Sequence, residues 1–175
     1  MNENTNSTKM PPLILRNCRI CYRNFSGKAT KFTPEGRRSF NVILDEGLAR
    51  QLTDDGWNVK MKPARDDENA LFCTLPVTVR FDILPPRIYL ISGKTKTELD
   101  EDSVSALDYA EIEKIDLTIN PRHYDVNGKT GIKAYLKSMY VTVVQDELAS
   151  EYQDFDDEES AGRDYPKEDD EYLPF

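Results

Sequence analysis

From Leu71 to Ile83, apolar side chains occupy every second position: Leu71, Cys73, Leu75, Val77, Val79, Phe81 and Ile83. A period of two belongs to an extended strand with one buried face; a helix would repeat its apolar stripe every three or four residues. The intervening Phe72, Thr74, Thr78, Arg80 and Asp82 then face the other way. Pro76 cannot donate to a ladder, so an edge or a bulge is expected there.

The flanking sequence supplies partners for such a strand. Leu13 to Phe25 reads as a strand, a polar loop covers Gly27 to Pro34, and Arg37 to Leu44 alternates through Phe40, Val42 and Leu44. Asp45 suits the cap of a short helix through Leu52, with Gly56 closing it. Further strands are expected over Trp57–Met61, Ile88–Ile91, Ile112–Ile119 and Gly131–Val144, with a helical turn from Asp102-Ser103 to about Leu107. Asn127-Gly128 is a strong hairpin signal between the last two strands. Many strands and one or two short helices predict a mainly β fold, an OB-fold-like small β-barrel. Residues 1–12 read as a flexible leader closed by Pro11-Pro12, and residues 13–145 as the barrel domain.

Charge separates the last segment from the rest. Residues 146–175 hold 13 acidic against 2 basic residues, a balance of −11, whereas residues 1–145 carry +2. That acidic stretch shows no sustained apolar period and is expected to be a disordered tail. The low overall pI therefore does not argue against a basic groove on the body. No run reaches the roughly 18 apolar residues of a membrane span. Met1 to Lys9 lacks the apolar core of a signal peptide, so an intracellular protein with reduced cysteines is expected.

Holding unpaired nucleic acid without reading its sequence takes cations for the phosphates and flat rings for the bases. Both types interleave on the faces opposite the expected core. If Ile14, Cys18, Ile20 and Tyr22 point inward, then Arg19, Arg23 and Phe25 point outward. The next loop adds Lys28, Lys31 and Phe32, and Arg37 opens the second strand. Trp57 lies near Lys60 and Lys62, and Phe72 shares a face with Arg80. In the last strand Ile132, Ala134 and Leu136 suit the core, leaving Lys133, Tyr135 and Lys137 in a row outside.

Other chemistries are weaker. Cys18, Cys21, Cys73 and His123 could supply a Cys₃His zinc site, but Cys18 and Cys21 lie within one strand, where residues three apart face opposite sides. Ser92-Gly93-Lys94-Thr95 and Asn127-Gly128-Lys129-Thr130 look like the end of a phosphate-binding loop, which needs a further Gly where Ile88 and His123 stand. One histidine and no nucleophile–base pairing give no basis for catalysis, so no enzyme activity, metal or cofactor is expected.

The chain ends Asp169-Asp170-Glu171-Tyr172-Leu173-Pro174-Phe175. Asp169, Asp170, Leu173, Pro174 and Phe175 resemble the tip of bacterial single-stranded-DNA-binding proteins; Tyr172 departs from that pattern, and their long Gly/Gln/Pro-rich linker is missing. Leu107-Asp108, Ile115, Ile119, Tyr124-Asp125, Gly128-Lys129 and Gly131-Ile132 to Leu136 are similar to phage-encoded OB-fold single-stranded-DNA-binding proteins. The resemblance implies a sequence-independent single-stranded-DNA-binding protein of phage replication, recombination or repair, acting in the cytoplasm of a bacterial host. Its tail would recruit replication and recombination proteins, and assembly into a homo-oligomer is compatible with the sequence. Two other readings stand beside it: an acidic mimic of DNA that inhibits a DNA-binding enzyme, and an RNA-binding OB-fold regulator.

Overall fold

Among the described residues the alternating run forms the central strand of a nine-stranded sheet. The computed structural model describes residues 10–31 and 33–145. Phe32, the 1–9 segment and the acidic tail with Asp169, Asp170, Leu173, Pro174 and Phe175 lie outside the described residues. In chain order the strands are β1 Leu13–Leu15, β2 Arg19–Asn24, β3 Arg38–Leu44, β4 Lys60–Pro63, β5 Leu71–Val79, β6 Arg87–Ser92, β7 Thr95–Leu99, β8 Ile112–Val126 and β9 Lys129–Val143. Helix α1 spans Glu46–Asp54, and a 3-10 helix spans Val104–Asp108.

The hydrogen-bonded order is β1-β8-β9-β5-β3-β2. The expected strand from Leu13 to Phe25 is broken between its halves, where Asn17 takes a φ of 50°. β1 then pairs with β8 while β2 pairs with β3, so one bent segment joins both ends of the order and curls the sheet. The Cys18 amide donating to the Ile115 carbonyl, at 2.9 Å, helps hold that seam. Counting the bent segment as the first strand and β3, β5, β8 and β9 as the second to fifth, the circular order is 1-2-3-5-4. That is an OB-fold, with the parallel β5–β9 contact at Val77↔Ala134 and Thr78↔Tyr135.

Pro76 sits in the central strand and not at an edge. Along one side of β5, β4 pairs as far as Thr74 and β9 begins at Val77, so the missing N–H falls in the gap between them. Phe40, Val42 and Leu44 of β3 meet Cys73, Leu75, Val77 and Val79 of β5 in the buried layer. Ile132, Ala134 and Leu136 join them as expected, and a register shift opposite Thr118/Ile119 changes the parity so that Met139 and Val141 point inward further on. Asp45 caps α1 by accepting from the Leu48 amide at 2.8 Å, and Ala49 and Leu52 bury its inner face.

Several expected boundaries move. The alternation continues past Val79, but the strand does not: Phe81 packs against the core from a loop, and Ile83 is 49% exposed. The strand expected from Trp57 starts at Lys60, with Trp57 making only an isolated bridge to Ile132. β7 lacks an apolar alternation because among the described residues it pairs only with β6, and it buries a single residue, Leu99. β8 runs seven residues beyond the expected Ile119, so that β8 and β9 form a long hairpin turned at Asn127 (φ 53°) and Gly128 (φ 82°). The two Gly-Lys-Thr stretches are therefore hairpin turns, β6–β7 and β8–β9.

Candidate nucleic-acid interface

In an OB-fold the outer face of the second and third strands, with the loops after the first and fourth, is the oligonucleotide surface. Here that means β3 and β5, the loop of residues 25–37, and the β8–β9 hairpin. Register aligns the outward residues across the sheet. Tyr135 of β9 is opposite Thr78, which is opposite Ser39, which is opposite Asn24. A second row runs Lys60, Thr74, Ile43 and Arg19, with Thr74 itself covered, where its hydroxyl accepts from Asn41.

Two sets of rings and cations stand on this face. In the first, a bulge in β2 places Tyr22 at φ 52° and turns its side chain outward, 60% exposed. Lys62 of β4 lies between two rings, with Nζ 5.7 Å from the Tyr22 centroid and 5.8 Å from that of Phe72. Beyond Tyr22 the Lys28 ammonium donates to the Tyr109 hydroxyl at 3.1 Å, and Tyr109 is 78% exposed. That hydrogen bond to Tyr109 raises the Lys28 pKa from its ordinary value. Tyr22 and Asn41 line both adjoining cavities, of about 480 and 620 Å³, making one trough from Phe72 to Tyr109.

The entry to the 25–37 loop is fixed by polar side chains. Asn24 Oδ1 accepts from the Gly27 and Lys28 amides, and Asp108 accepts from the Phe25 and Ser26 amides. Gly27 takes a φ of 77°, and the Gly36 amide donates to its carbonyl at 2.7 Å, closing the base of the loop. Lys31 and Arg37 are exposed on this loop.

The second set lies on the β8–β9 hairpin. Lys133 and Tyr135 share a face as expected, joined by Asn120 and Arg122 from the opposite strand. The Arg122 guanidinium and the Lys133 ammonium each lie 5.6 Å from the Tyr135 centroid. Further out Tyr124 lies over Gly131, where a Cβ would come within 2.6 Å of the Tyr124 hydroxyl. Arg80 also neighbours Tyr135, but its guanidinium is forked onto Asp82 at 3.0 and 2.7 Å, which offsets its charge.

Several expected site residues stand elsewhere. Phe25 is fully buried and stacked on Phe40, with centroids 5.1 Å apart. Trp57 is buried against the core as well. Burying such a side chain is worth about 1.5–3 kcal/mol, and an apolar Phe ring has nothing to gain from water. Arg23 is half-buried and donates from Nη1 to the Leu107 and Ala110 carbonyls at 2.9 and 2.8 Å, tying down the end of the 3-10 helix. Lys137 is exposed at the register shift, so the row ends at Tyr135 and Arg122 supplies its second cation. Ile14 and Tyr22, expected inward, are both exposed, because the break at Asn17 and the bulge at Tyr22 each reset the alternation.

Sequence alone missed Tyr22, Tyr109, Arg122 and Tyr124. Arg122 had a readable signal, since extending β8 to the Asn127-Gly128 turn puts it opposite Lys133. Among the described residues no three His, Cys, Asp or Glu side chains gather to hold a metal ion. Cys18 is packed under the barrel seam, where burial pushes its thiol pKa up to about 11.

No curated protein matches the chain in sequence. Among solved structures, the C-terminally truncated single-stranded DNA-binding protein of bacteriophage Enc34 is similar, with TM-score 0.52 and 12% identity over 77% of this chain and 87% of that one. The same phage protein in complex with single-stranded DNA gives TM-score 0.52 and 12% identity, covering 77% of this chain and 88% of that one. At such identity these likenesses speak for the fold. The model of a putative phage single-stranded-DNA-binding domain matches residues 4–174, nearly the whole sequence, and the chain belongs to that family.

Proposed function

We propose that the chain holds single-stranded DNA, without reading its sequence, across the outer face of β3, β5 and β9. One observation carries this reading: rings and cations are interleaved on the face between the 25–37 loop and the β8–β9 hairpin. Lys62 serves Tyr22 and Phe72 at one end, and Arg122 and Lys133 serve Tyr135 at the other. The path between them crosses Thr78 and Ser39, small residues that leave room for a backbone. Arg19, Lys28, Lys31, Arg37 and Lys60 supply further cations around it. Stacking and phosphate neutralisation suffice for this work, so the protein acts by binding and not by catalysis.

The biological setting proposed is phage DNA replication, recombination and repair in the host cytoplasm. Residues 13–145 form the DNA-binding domain, and residues 146–175 recruit partner proteins through Leu173, Pro174 and Phe175 with Asp169 and Asp170. The phage relative solved with single-stranded DNA supports the first part of this reading. The test is fluorescence anisotropy with labelled oligo-dT, a duplex of equal length and a matched RNA, each across a salt series. Tighter binding to oligo-dT than to duplex is expected, because only unpaired bases expose their faces. Equal affinities for duplex and single strand would overturn the stacking surface, and a preference for RNA would reassign the polymer.

A further inference from the structure

We infer that Ile83 and Leu84 form an apolar clamp that closes over one nucleobase stacked on Tyr135. This inference rests on the single-stranded-DNA reading and adds a subsite to it. The loop after β5 carries two apolar side chains into solvent, Ile83 at 49% and Leu84 at 82% exposure. Leu84 also adopts φ 50°, a left-handed conformation that a branched apolar residue rarely takes. Exposure and strain at one residue both cost stability, and such strain gathers at ligand clamps.

The loop is held in place at both ends. Arg80 grips Asp82 just before it, and Pro86 just after it is buried. Between the loop and the hairpin lies a cavity of about 430 Å³, within the range of small-ligand clefts. Its walls are chemically divided. Ile83 and Leu84 form an apolar side, Tyr135 a flat aromatic one, and Asn120 and Arg122 line it from β8. A base has two apolar faces and a polar edge. Tyr135 and the leucine can take the faces, while the Asn120 amide, both donor and acceptor, can meet the edge of any base. Arg122, 5.6 Å from the ring, is placed to neutralise a flanking phosphate. An exposed Leu-Ile pair beside charged groups would be a poor surface for a bare polyanion, so the occupant is the base and not the backbone.

The clamp separates base contacts from phosphate contacts, and the experiment uses that separation. Leu84→Asn and the double variant Ile83→Ser/Leu84→Asn remove the apolar cap, and Asn accepts the left-handed conformation. Both should keep or raise the melting temperature of the full chain. Affinity is measured for oligo-dT and for an abasic oligonucleotide of the same length. Affinity for oligo-dT should fall about five- to tenfold in the double variant, part of the value of one stacked base, while abasic binding stays unchanged. Oligo-dT binding within twofold of wild type overturns the clamp, as does an equal loss on both oligonucleotides. A wild-type chain that binds neither overturns the parent reading and the clamp with it. A wild type that prefers oligo-dT, matched by its variants, overturns the clamp alone.

Discussion

Replacing Tyr135 by Ala should separate stacking from electrostatics at one position. The ring is half-buried on the outer face of β9, with Arg122 and Lys133 each 5.6 Å from its centroid. Its inner neighbours Ala134 and Leu136 stay in the core, so the fold should lose about 1 kcal/mol at most. Losing one stacked base costs about 1–3 kcal/mol in comparable surfaces. With the cations occupying part of the ring surface, the middle of that range applies, and affinity for oligo-dT should drop roughly 10- to 30-fold. Because tyrosine is neutral, the slope of log affinity against log salt should not change. Arg122→Ala, by contrast, should flatten that slope by about 0.7, the value of one released counterion for a single strand. Anisotropy titrations over a salt series read both quantities, and Tyr135→Phe, which keeps the ring, should bind nearly as wild type. An affinity loss below twofold, or a flattened slope in Tyr135→Ala, would refute the assignment of the ring as a base platform.

Trp57→Ala should lower stability by about 3–5 kcal/mol in denaturant titration, the cost of emptying a large core site, and any binding defect should disappear under conditions where the variant is fully folded. Deleting residues 146–175 removes −11 of charge and should tighten oligo-dT binding at low salt, with the difference shrinking as salt rises; deleting only Leu173, Pro174 and Phe175 should spare DNA affinity and abolish partner capture. Cys18, with its pKa near 11, should be alkylated slowly at pH 8, as read by mass spectrometry after timed iodoacetamide treatment. Its folded pKa is raised, so the stability it contributes is complete below the unfolded value near 9 and is lost as pH rises through 11.

The barrel was legible because its central strands obey one rule without interruption. β3, β5 and the inner half of β9 alternate, and apart from Thr74, which is covered on the opposite face, their buried residues are those the pattern picks out. Lys133, Tyr135 and Phe72 follow, since a correct inner face fixes an outer one, whereas Lys62 was legible only as a neighbour of Trp57 and stands on β4. The rule failed wherever the backbone left the regular pleat. Asn17 and Tyr22 both take positive φ without being glycine, and nothing in a hydropathy pattern signals that. One bulge is enough to send Tyr22 outward, although Arg19 and Ile20 before it keep their expected faces. Phe25 and Trp57 failed for another reason. They lie outside the strands, where no period indicates direction, and the amide contacts that fix Phe25 come from Asp108, distant in sequence. The trough from Tyr22 to Tyr109 is likewise assembled by residues far apart in sequence, which only the closed barrel brings together.

The bent first segment has a consequence in time. β1 closes the barrel by pairing Leu13, Ile14 and Leu15 with Ile119, Thr118 and Leu117, about a hundred residues downstream. The strand between them and β5, β9, comes later still and carries pairs on both sides. No ribosome-bound fragment shorter than Val143 can therefore complete the sheet. At about 5–20 residues per second, the N-terminal strands wait for several seconds before their partners exist. During that interval β3 and β5 can zip together locally, but β5 offers a bare edge where β9 will dock. Non-local closure of this kind is slow even once the chain is complete. The gap at Pro76 then falls in the middle of the waiting edge, where a residue without an N–H interrupts any foreign strand that tries to pair along its length.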